Sequence, residues 1–216
     1  MKRIVKDPKE RRKELIDAAE RLFINAGYEQ TAISDIVKDL NISQGAFYYY
    51  FDGKEDVLVA VLEKQLSIME GDFVQIANRT DLDPAVQLNS MINRFISLNA
   101  SGRRIMSYIH QEKNATLHKK MMKTRPLDRI APLMADVICK GRDLGRFNVA
   151  HPLETSFLLL MLVASALHFI YQPWLEGESE EASMIGSEFQ EHTRIALEDL
   201  LGRALGVSDY RFILQI

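Results

Sequence analysis

Apolar residues recur every three or four positions along most of the chain, which is the spacing of one face of an α-helix. Strand-like alternation is almost absent. The first apolar face follows Asp7-Pro8, a pair typical of a helix N-terminus, and ends at Gly27; it is formed by Leu15, Ala19, Leu22, Phe23 and Ala26. The pattern therefore predicts an all-α protein whose first helix ends just before Gly27.

Two short helices are predicted after the first one. Thr31 can cap a second helix, and Ser43 can cap a third that runs to about Tyr50. Between them lies Asn41-Ile42, and asparagine tolerates the left-handed backbone conformation that a tight turn requires. Two short helices joined in this way predict a helix-turn-helix, in which the first helix braces the second for entry into a DNA groove.

Five aromatic residues follow one another in the third helix, from Phe47 to Phe51. Successive residues of a helix point about 100° apart, so the five rings cannot all be buried. Phe47 and Phe51 lie one turn apart and suit the core, which leaves Tyr48 and Tyr49 facing outward. Their hydroxyls can bond phosphates and their rings can pack on sugars or thymine methyl groups.

Other residues near the aromatic run also fit a nucleic-acid partner. Gln44 offers the amide that pairs with adenine, and the small Gly45 and Ala46 would let base edges approach closely. Lys54 begins the fourth helix, where the helix dipole disfavours a cation, so we interpret it as sharing a phosphate with the helix end. The alternative is a pair of short helices whose tyrosines are ordinary core.

The N-terminal segment is basic although the whole chain has a net charge of −3. Residues 1–13 contain seven basic residues against Asp7 and Glu10, a local excess of five, so the rest of the chain carries −8. This asymmetry favours a basic arm at a DNA-facing end of the protein. The alternative is a solvated terminus.

Longer helices are predicted after Gly53. The first is an amphipathic helix from Lys54 to about Ala77, and Asp83-Pro84 opens the next. Pro126 and Pro132 each argue against an uninterrupted helix, so we expect two or three helices between Arg103 and Asn148.

The last two long helices are predicted to form a dimer interface. One begins at His151-Pro152, and its middle, residues 157–170, is apolar on all sides; the other runs from about Gly186 to Leu205. A helix that is apolar all round is covered twice, by its own subunit and by a partner. We therefore expect a homodimer that pairs these two helices.

The segment ELIDAAERLFINAGYEQTAISDIVKDLNISQGAFYYYFDGKEDVL resembles the DNA-binding domain of the TetR (tetracycline-repressor) family of one-component regulators. It covers about the first quarter of the chain. The matching features, in order, are Ala18-Ala19, Leu22-Phe23, Gly27-Tyr28, Thr31, Asp35-Ile36, Gly45, Tyr48, Tyr50-Phe51, Lys54 and Leu58. The resemblance implies a helix-turn-helix domain over residues 1–52 and a larger helical-bundle domain over 53–216 that binds an effector and dimerises.

The resemblance also implies a role for each matched residue. The residues implied at base edges are Gln44, Gly45, Ala46 and Tyr49, and those implied at the DNA backbone are Thr31, Tyr48, Tyr50 and Lys54. Two positions depart from the family pattern. Ala32 stands where a hydroxyl is frequent, and Asn41 stands where glycine is usual.

The function implied by the resemblance is repression of transcription, relieved when a small molecule releases the dimer from double-stranded DNA. The recognition helices would enter successive major grooves of an inverted-repeat operator, ~34 Å apart. One alternative is an architectural or cell-cycle DNA-binding protein of the same fold that has no ligand. Another is an all-helical enzyme with an unrelated helix-turn-helix.

The sequence outside the helix-turn-helix shows no catalytic motif, no metal-ligand spacing and no cofactor-binding loop. Soft and aromatic residues of the middle helices suit a pliable, largely apolar ligand pocket, with ordinary core as the alternative: Met69, Phe95, Met106, Tyr108, Met134, Met161 and His168. The basic run from Lys113 to Arg129 is either a solvated face, the mouth of a pocket for an anion, or a second approach to DNA.

The composition favours a cytoplasmic protein without a membrane segment. Cys139 is the single cysteine, so an intramolecular disulfide is excluded. The longest uninterrupted apolar stretch, residues 157–164, is much shorter than the ~20 residues of a membrane span, and the N-terminus lacks the apolar run of a secretory signal.

Overall fold

The computed structural model describes residues 7–101, 105, 108–109, 114–170 and 180–216. Within these ranges it describes no side chains for residues 99–101, 115–116, 168–169 and 180–186. All regular elements in the described part of the chain are helices, which confirms the predicted all-α class. They are α1 (Pro8–Ala26), α2 (Ile33–Asp39), α3 (Gln44–Tyr48), α4 (Lys54–Ala77), α5 (Pro84–Ser101), α6 (Ala115–Met122), α7 (Pro126–Asp143), α8 (Pro152–Ile170) and α9 (Glu180–Leu205).

The ends of α1 follow the predicted signals, whereas the start of α2 does not. Asp7 accepts a hydrogen bond from the Lys9 amide at 2.9 Å, and Gly27 ends α1 with a φ of 92°. At α2 the capping residue is Ala32, whose amide donates to the Asp35 carboxylate at 2.8 Å. The prediction that Thr31 caps α2 is therefore wrong, because Asp35 reaches back to the first free amide.

The described residues divide into two compact units. The unit that contains the helix-turn-helix comprises Met1–Ser67 and Gly102–Thr124 and is larger than the predicted segment 1–52. The reason is its core, which combines apolar residues of α1 to α4 with four residues from later in the chain: Ile105, Ile109, Leu117 and Met121. In the same unit, Lys120 of α6 forms ion pairs with Glu55 at 3.0 Å and Asp56 at 3.6 Å, at the start of α4.

The second unit comprises Ile68–Ser101 and Arg125–Ile216 and is built around α5, α7 and α8. Pro126 separates α6 from α7, as predicted, and stands at the first position of α7, but Pro132 lies inside that helix. The prediction that Pro132 interrupts the helix is wrong. Burial of the neighbouring Ile130, Ala131 and Met134 offsets the one backbone hydrogen bond that the proline removes.

The C-terminal strap, residues 207–216, lies against α5 and α9 in the second unit. The Asn93 side chain donates to the Ile213 carbonyl at 2.8 Å and accepts from the Gln215 amide at 2.9 Å. Asn89, one turn earlier, accepts from the Ile213 amide at 2.9 Å, and the buried Glu198 accepts from the Leu214 amide at 2.8 Å. Side-chain amides and a carboxylate thus replace the backbone partners that an extended segment otherwise finds in a sheet.

Among the described residues, no helix combines the length and apolar character needed to cross a membrane. The last helix begins at Glu180, six residues before the predicted start.

We predict that Asn93→Asp lowers the free energy of unfolding by about 1–2 kcal/mol, because a carboxylate cannot donate to the Ile213 carbonyl. Asn89→Asp is the matched control, since Asn89 uses its oxygen as an acceptor and a carboxylate retains that role. Chemical denaturation of both variants measures the difference. Equal losses of unfolding free energy in the two variants would contradict the assignment of Asn93 as a donor and Asn89 as an acceptor only.

Candidate nucleic-acid interface

The turn between α2 and α3 has the geometry of a helix-turn-helix. Asn41 has a φ of 50°, the left-handed conformation predicted for this position. The Ile42 amide returns to the Val37 carbonyl at 2.9 Å, and the Ser43 hydroxyl accepts from the Ala46 amide at 3.3 Å, which caps α3. The left-handed residue and the serine cap together fix the direction in which α3 leaves the turn.

The aromatic run, which begins in α3 and continues past its end to Phe51, is divided between core and surface. Phe47 is fully buried and Phe51 is 4% exposed, with 5.8 Å between their ring centroids. Tyr48 and Tyr49 are 54% and 75% exposed. Tyr50 is half-buried, with its ring edge-to-face against that of Tyr49 at 4.9 Å. The prediction that the two phenylalanines anchor the helix while Tyr48 and Tyr49 face outward is confirmed.

The first turn of α3 offers an open surface beside these tyrosines. Gln44 and Gly45 are exposed and Ala46 is half-buried. A β-carbon added to Gly45 would meet the Ser43 hydroxyl at 3.9 Å, an ordinary contact, and Gly45 is not among the glycines with a positive φ. The described structure therefore gives no internal reason for glycine at this position.

Thr31 lies inside the unit and is 2% exposed. Its hydroxyl donates to the Gly27 carbonyl at 2.8 Å and lies 3.4 Å from the Leu22 carbonyl oxygen. Both acceptors belong to the end of α1 or the residue that follows it. The hydroxyl that the resemblance assigns to a phosphate thus has partners within the protein, and the phosphate contact stays a prediction.

Lys54, at the start of α4, also has internal partners. Its Nζ donates to the carbonyl oxygens of Tyr28 at 2.8 Å and Thr31 at 2.9 Å, with that of Glu29 at 3.4 Å. It also lies 4.3 Å from the centre of the Tyr28 ring. Burial lowers the pKa of Lys54, an effect that the carboxylate of Glu29 opposes.

Tyr28 connects Lys54 to the rest of the core. Its ring lies 5.1 Å from that of Phe23 and 4.6 Å from that of Tyr108. Burial, the neighbouring Tyr108 and then Glu55 raise the pKa of its hydroxyl. No sequence signal pairs Tyr28 with Tyr108, because the two residues lie 80 positions apart and neither belongs to a motif that names the other.

A concave basic surface lies between α1 and α4 and is lined by Lys9, Arg12, Lys13, Ile16 and Lys64. The Arg12 guanidinium lies 4.9 Å from the centre of the Phe51 ring, so this part of α1 adjoins the end of the aromatic run. Lys64 donates to Asp17 at 2.5 Å and Glu20 at 2.6 Å on α1. The basic side chains of α1 that line this surface, Lys9, Arg12 and Lys13, all belong to the N-terminal segment that the sequence marks as basic.

The residues proposed for a ligand pocket are distributed unevenly. Met69, Phe95 and Met134 are buried in the second unit, whereas Tyr108 is half-buried in the first. Met161 differs from the expectation, because it is 54% exposed on the outward face of α8. Met106 and the side chain of His168 lie outside the described residues.

The basic run from Lys113 to Arg129 is largely ion-paired where the structure describes it. Besides Lys120, Arg125 pairs with Asp128, and Arg129 pairs with Glu70 at 2.5 Å. In the described part of the chain, no three histidine, cysteine or acidic side chains are grouped so that they could hold a metal ion.

Two family profiles match this chain. "Bacterial regulatory proteins, tetR family" matches residues 15–61, which contain the helix-turn-helix, and "Tetracyclin repressor-like, C-terminal domain" matches residues 97–185. The chain belongs to the TetR family. The sequence resemblance to this family is thereby confirmed.

Individual members of the family are similar over most of the chain. The transcriptional repressor KstR2 from Rhodococcus jostii (strain RHA1) is 26% identical over 165 residues, which cover 76% of this chain and 80% of that protein. A TetR-family regulator from Pectobacterium atrosepticum has the same fold, with a TM-score of 0.70 and 21% identity over 93% of this chain and 98% of the other.

A third similar protein was solved with a small molecule. The SmeT–triclosan complex matches with a TM-score of 0.63 and 22% identity, over 96% of each chain. Coverage is much lower for three other curated relatives, of whose length the chain spans between 19% and 45%.

We predict that two positions of the aromatic run differ strongly in their effect on stability. Phe47→Ala should lower the free energy of unfolding by about 3–5 kcal/mol, because it empties the centre of the core beneath α3. Tyr49→Ala should change it by less than about 0.5 kcal/mol, because that ring is mostly in solvent. Thermal or denaturant unfolding measures both, and a large loss in Tyr49→Ala would show that the ring supports the fold.

Proposed function

We propose that the protein is a transcriptional regulator that represses by binding an inverted-repeat DNA operator as a dimer and is released by a small molecule. The observation that carries the proposal is the division of the aromatic run in α3. Phe47 and Phe51 hold the helix on the core, while Gln44, Tyr48 and Tyr49 are displayed on one accessible surface. This arrangement suits a recognition helix that enters a major groove.

The proposed contacts are those that the family resemblance implies for the residues of this surface. Gln44, Gly45, Ala46 and Tyr49 face base edges, and Tyr48 and Tyr50 bond the phosphate backbone. The surroundings of Gly45 support this assignment. A β-carbon at this position would make only an ordinary contact within the protein, so the close approach of a base explains the glycine. The basic surface of α1 adds positive charge, which raises affinity without reading sequence.

Dimerisation is proposed through α8 and α9. Both helices bury one apolar face within the second unit and leave another apolar face exposed. The exposed residues are Leu153, Leu158, Met161 and Leu162 on α8 and Phe189, Ile195 and Leu200 on α9. Large apolar side chains grouped on the surface of a subunit are typical of an interface, and a two-fold axis would present the same face twice.

The effector is proposed to be a largely apolar small molecule bound in the second unit. Met69, Phe95 and Met134 supply soft and aromatic surface there. The SmeT–triclosan complex shows that a similar fold accommodates a small molecule. Release would follow if the effector binds more tightly to a conformation that cannot hold both recognition helices on the operator.

Two other functions remain alternatives. An architectural DNA-binding protein of this fold would bind an operator but give no hit in a thermal-shift screen of small molecules. An all-helical enzyme would show neither a sequence preference nor a steep dependence on salt in titrations with duplex DNA.

Selection of bound duplexes from a random pool, followed by binding titrations at several salt concentrations, tests the proposal. We expect an inverted-repeat consensus and an affinity that falls steeply with salt, because several phosphates are neutralised per dimer. No enrichment of any duplex, with the protein folded and dimeric, would refute the DNA-binding function.

We predict that Gly45→Ala weakens operator binding while leaving thermal stability unchanged or slightly raised, because alanine favours the helix and meets no clash within the protein. Binding and melting of the same preparation measure the two effects. If Gly45→Ala binds the operator as tightly as the wild type, no base lies close to this position.

Gln44→Ala tests the reading of bases directly. We expect it to relax discrimination at one base position of each half-site by about 1–3 kcal/mol, because the amide pairs with one adenine. Titration against operators changed at single positions measures this discrimination. If Gln44→Ala discriminates between bases as the wild type does at every operator position, Gln44 does not read a base.

The dimer interface is tested by Leu158→Glu, which places a charge at the most exposed apolar residue of α8. We expect a monomer by analytical ultracentrifugation and an operator affinity reduced by at least about tenfold, because the two half-sites are no longer bound together. Leu144→Glu is the control, since Leu144 is similarly exposed but follows α7. A dimeric Leu158→Glu variant would contradict the proposed interface.

A further inference from the structure

Lys54 connects the two ends of the reading segment. This segment, residues 31–54, contains α2, the turn and α3, and Lys54 lies where it passes into α4. Its ammonium group bonds the carbonyls of Tyr28 and Thr31, which lie at the entrance to the segment. The contact thus closes a loop around the helix-turn-helix between two residues that lie 23 positions apart.

The geometry leaves the ammonium group with little capacity for another partner. Lysine has three N–H donors, and three carbonyl oxygens lie within 3.4 Å of Nζ. The Tyr28 ring lies 4.3 Å from the same atom. A phosphate bond would therefore replace an existing interaction instead of satisfying a free donor.

The carbonyls that Lys54 bonds are themselves held in place. Tyr28 is 5% exposed and packs against Phe23 and Tyr108, and the Thr31 hydroxyl donates to the Gly27 carbonyl at 2.8 Å. A flexible side chain that bonds fixed acceptors restrains the backbone to which it is attached. The distance between the start of the reading segment at Thr31 and its end at Lys54 is thereby fixed, which limits the orientations available to α3.

We propose that Lys54 is a positioning residue: its ammonium group staples the start of α4 to the carbonyls of Tyr28, Glu29 and Thr31 and pre-orients α3 for the groove. This inference rests on the proposed DNA-binding function and assigns Lys54 a role other than the phosphate contact that the family resemblance implies. Pre-orientation raises specific affinity, because the reading segment loses less conformational freedom when it binds.

Lys54→Gln and Lys54→Met distinguish the two roles. Both remove the charge, but glutamine retains two amide donors for the carbonyls and methionine retains only the apolar stem. Lys38→Ala is the matched control, because Lys38 is an exposed cation on α2 of the same unit. Affinities for the selected operator and for an unrelated duplex are measured across a salt series, together with the melting temperature of each variant.

We expect Lys54→Met to lose about tenfold or more in operator affinity and less on the unrelated duplex, while Lys54→Gln stays within about threefold of the wild type. Both variants should have the same salt dependence as Lys38→Ala. The proposal is overturned if Lys54→Gln and Lys54→Met lose affinity equally for both duplexes and the slope of log affinity against log salt concentration falls by about one more than in Lys38→Ala. That result is the signature of a lost phosphate contact. Wild-type affinity in Lys54→Met overturns it as well.

Amide hydrogen exchange tests the positioning role of Lys54 separately from the proposed DNA-binding function. In free protein, Lys54→Met should accelerate exchange at the amides of residues 28–32, and Lys54→Gln should accelerate it much less. This readout needs no DNA, and it remains usable if Lys54→Met melts at a lower temperature. If the wild type bound no duplex, the proposed function would fail, but the exchange data would still test whether Lys54 holds residues 28–32. Unchanged exchange in Lys54→Met would refute the positioning role of Lys54 and leave the proposed function untouched.

Discussion

Burial of the Phe47 side chain is the interaction on which the reading surface depends. A helix of five residues cannot persist in water through its own hydrogen bonds, so α3 exists because one of its faces is packed. The fully buried Phe47 supplies that face, and Phe51 extends it. Because consecutive helical residues point in different directions, fixing Phe47 inward also fixes Tyr48 and Tyr49 outward.

Contacts around the reading segment reinforce this anchor. The serine cap and the left-handed Asn41 set the direction of α3 at its start. At the other end, Lys54 bonds the carbonyls that precede α2, and Lys120 pairs with the acidic first turn of α4. The residues that hold the helix-turn-helix therefore extend well beyond it in sequence, to the 102–124 part of the same compact unit.

Local patterns predicted the elements of the fold, because capping residues, turn residues and helical periodicity act over a few positions. Asp7, Asn41, Ser43 and the divided aromatic run all behave as their types suggest. Predictions failed where neighbours distant in sequence decide the outcome. Pro132 is tolerated inside α7 because its surroundings are buried by contacts with other parts of the second unit.

The same distinction applies to the candidate site. Exposure of the tyrosines followed from geometry alone, whereas the partners of Lys54 and the pairing of Tyr28 with Tyr108 depend on how distant segments meet.

The central claim is that α3 occupies the major groove, and dimethyl sulfate protection of guanine N7 on the bound operator tests it most directly. The account predicts two protected tracts on one face of the duplex, about ten base pairs apart. Bound DNA whose guanine N7 atoms stay fully reactive would contradict it.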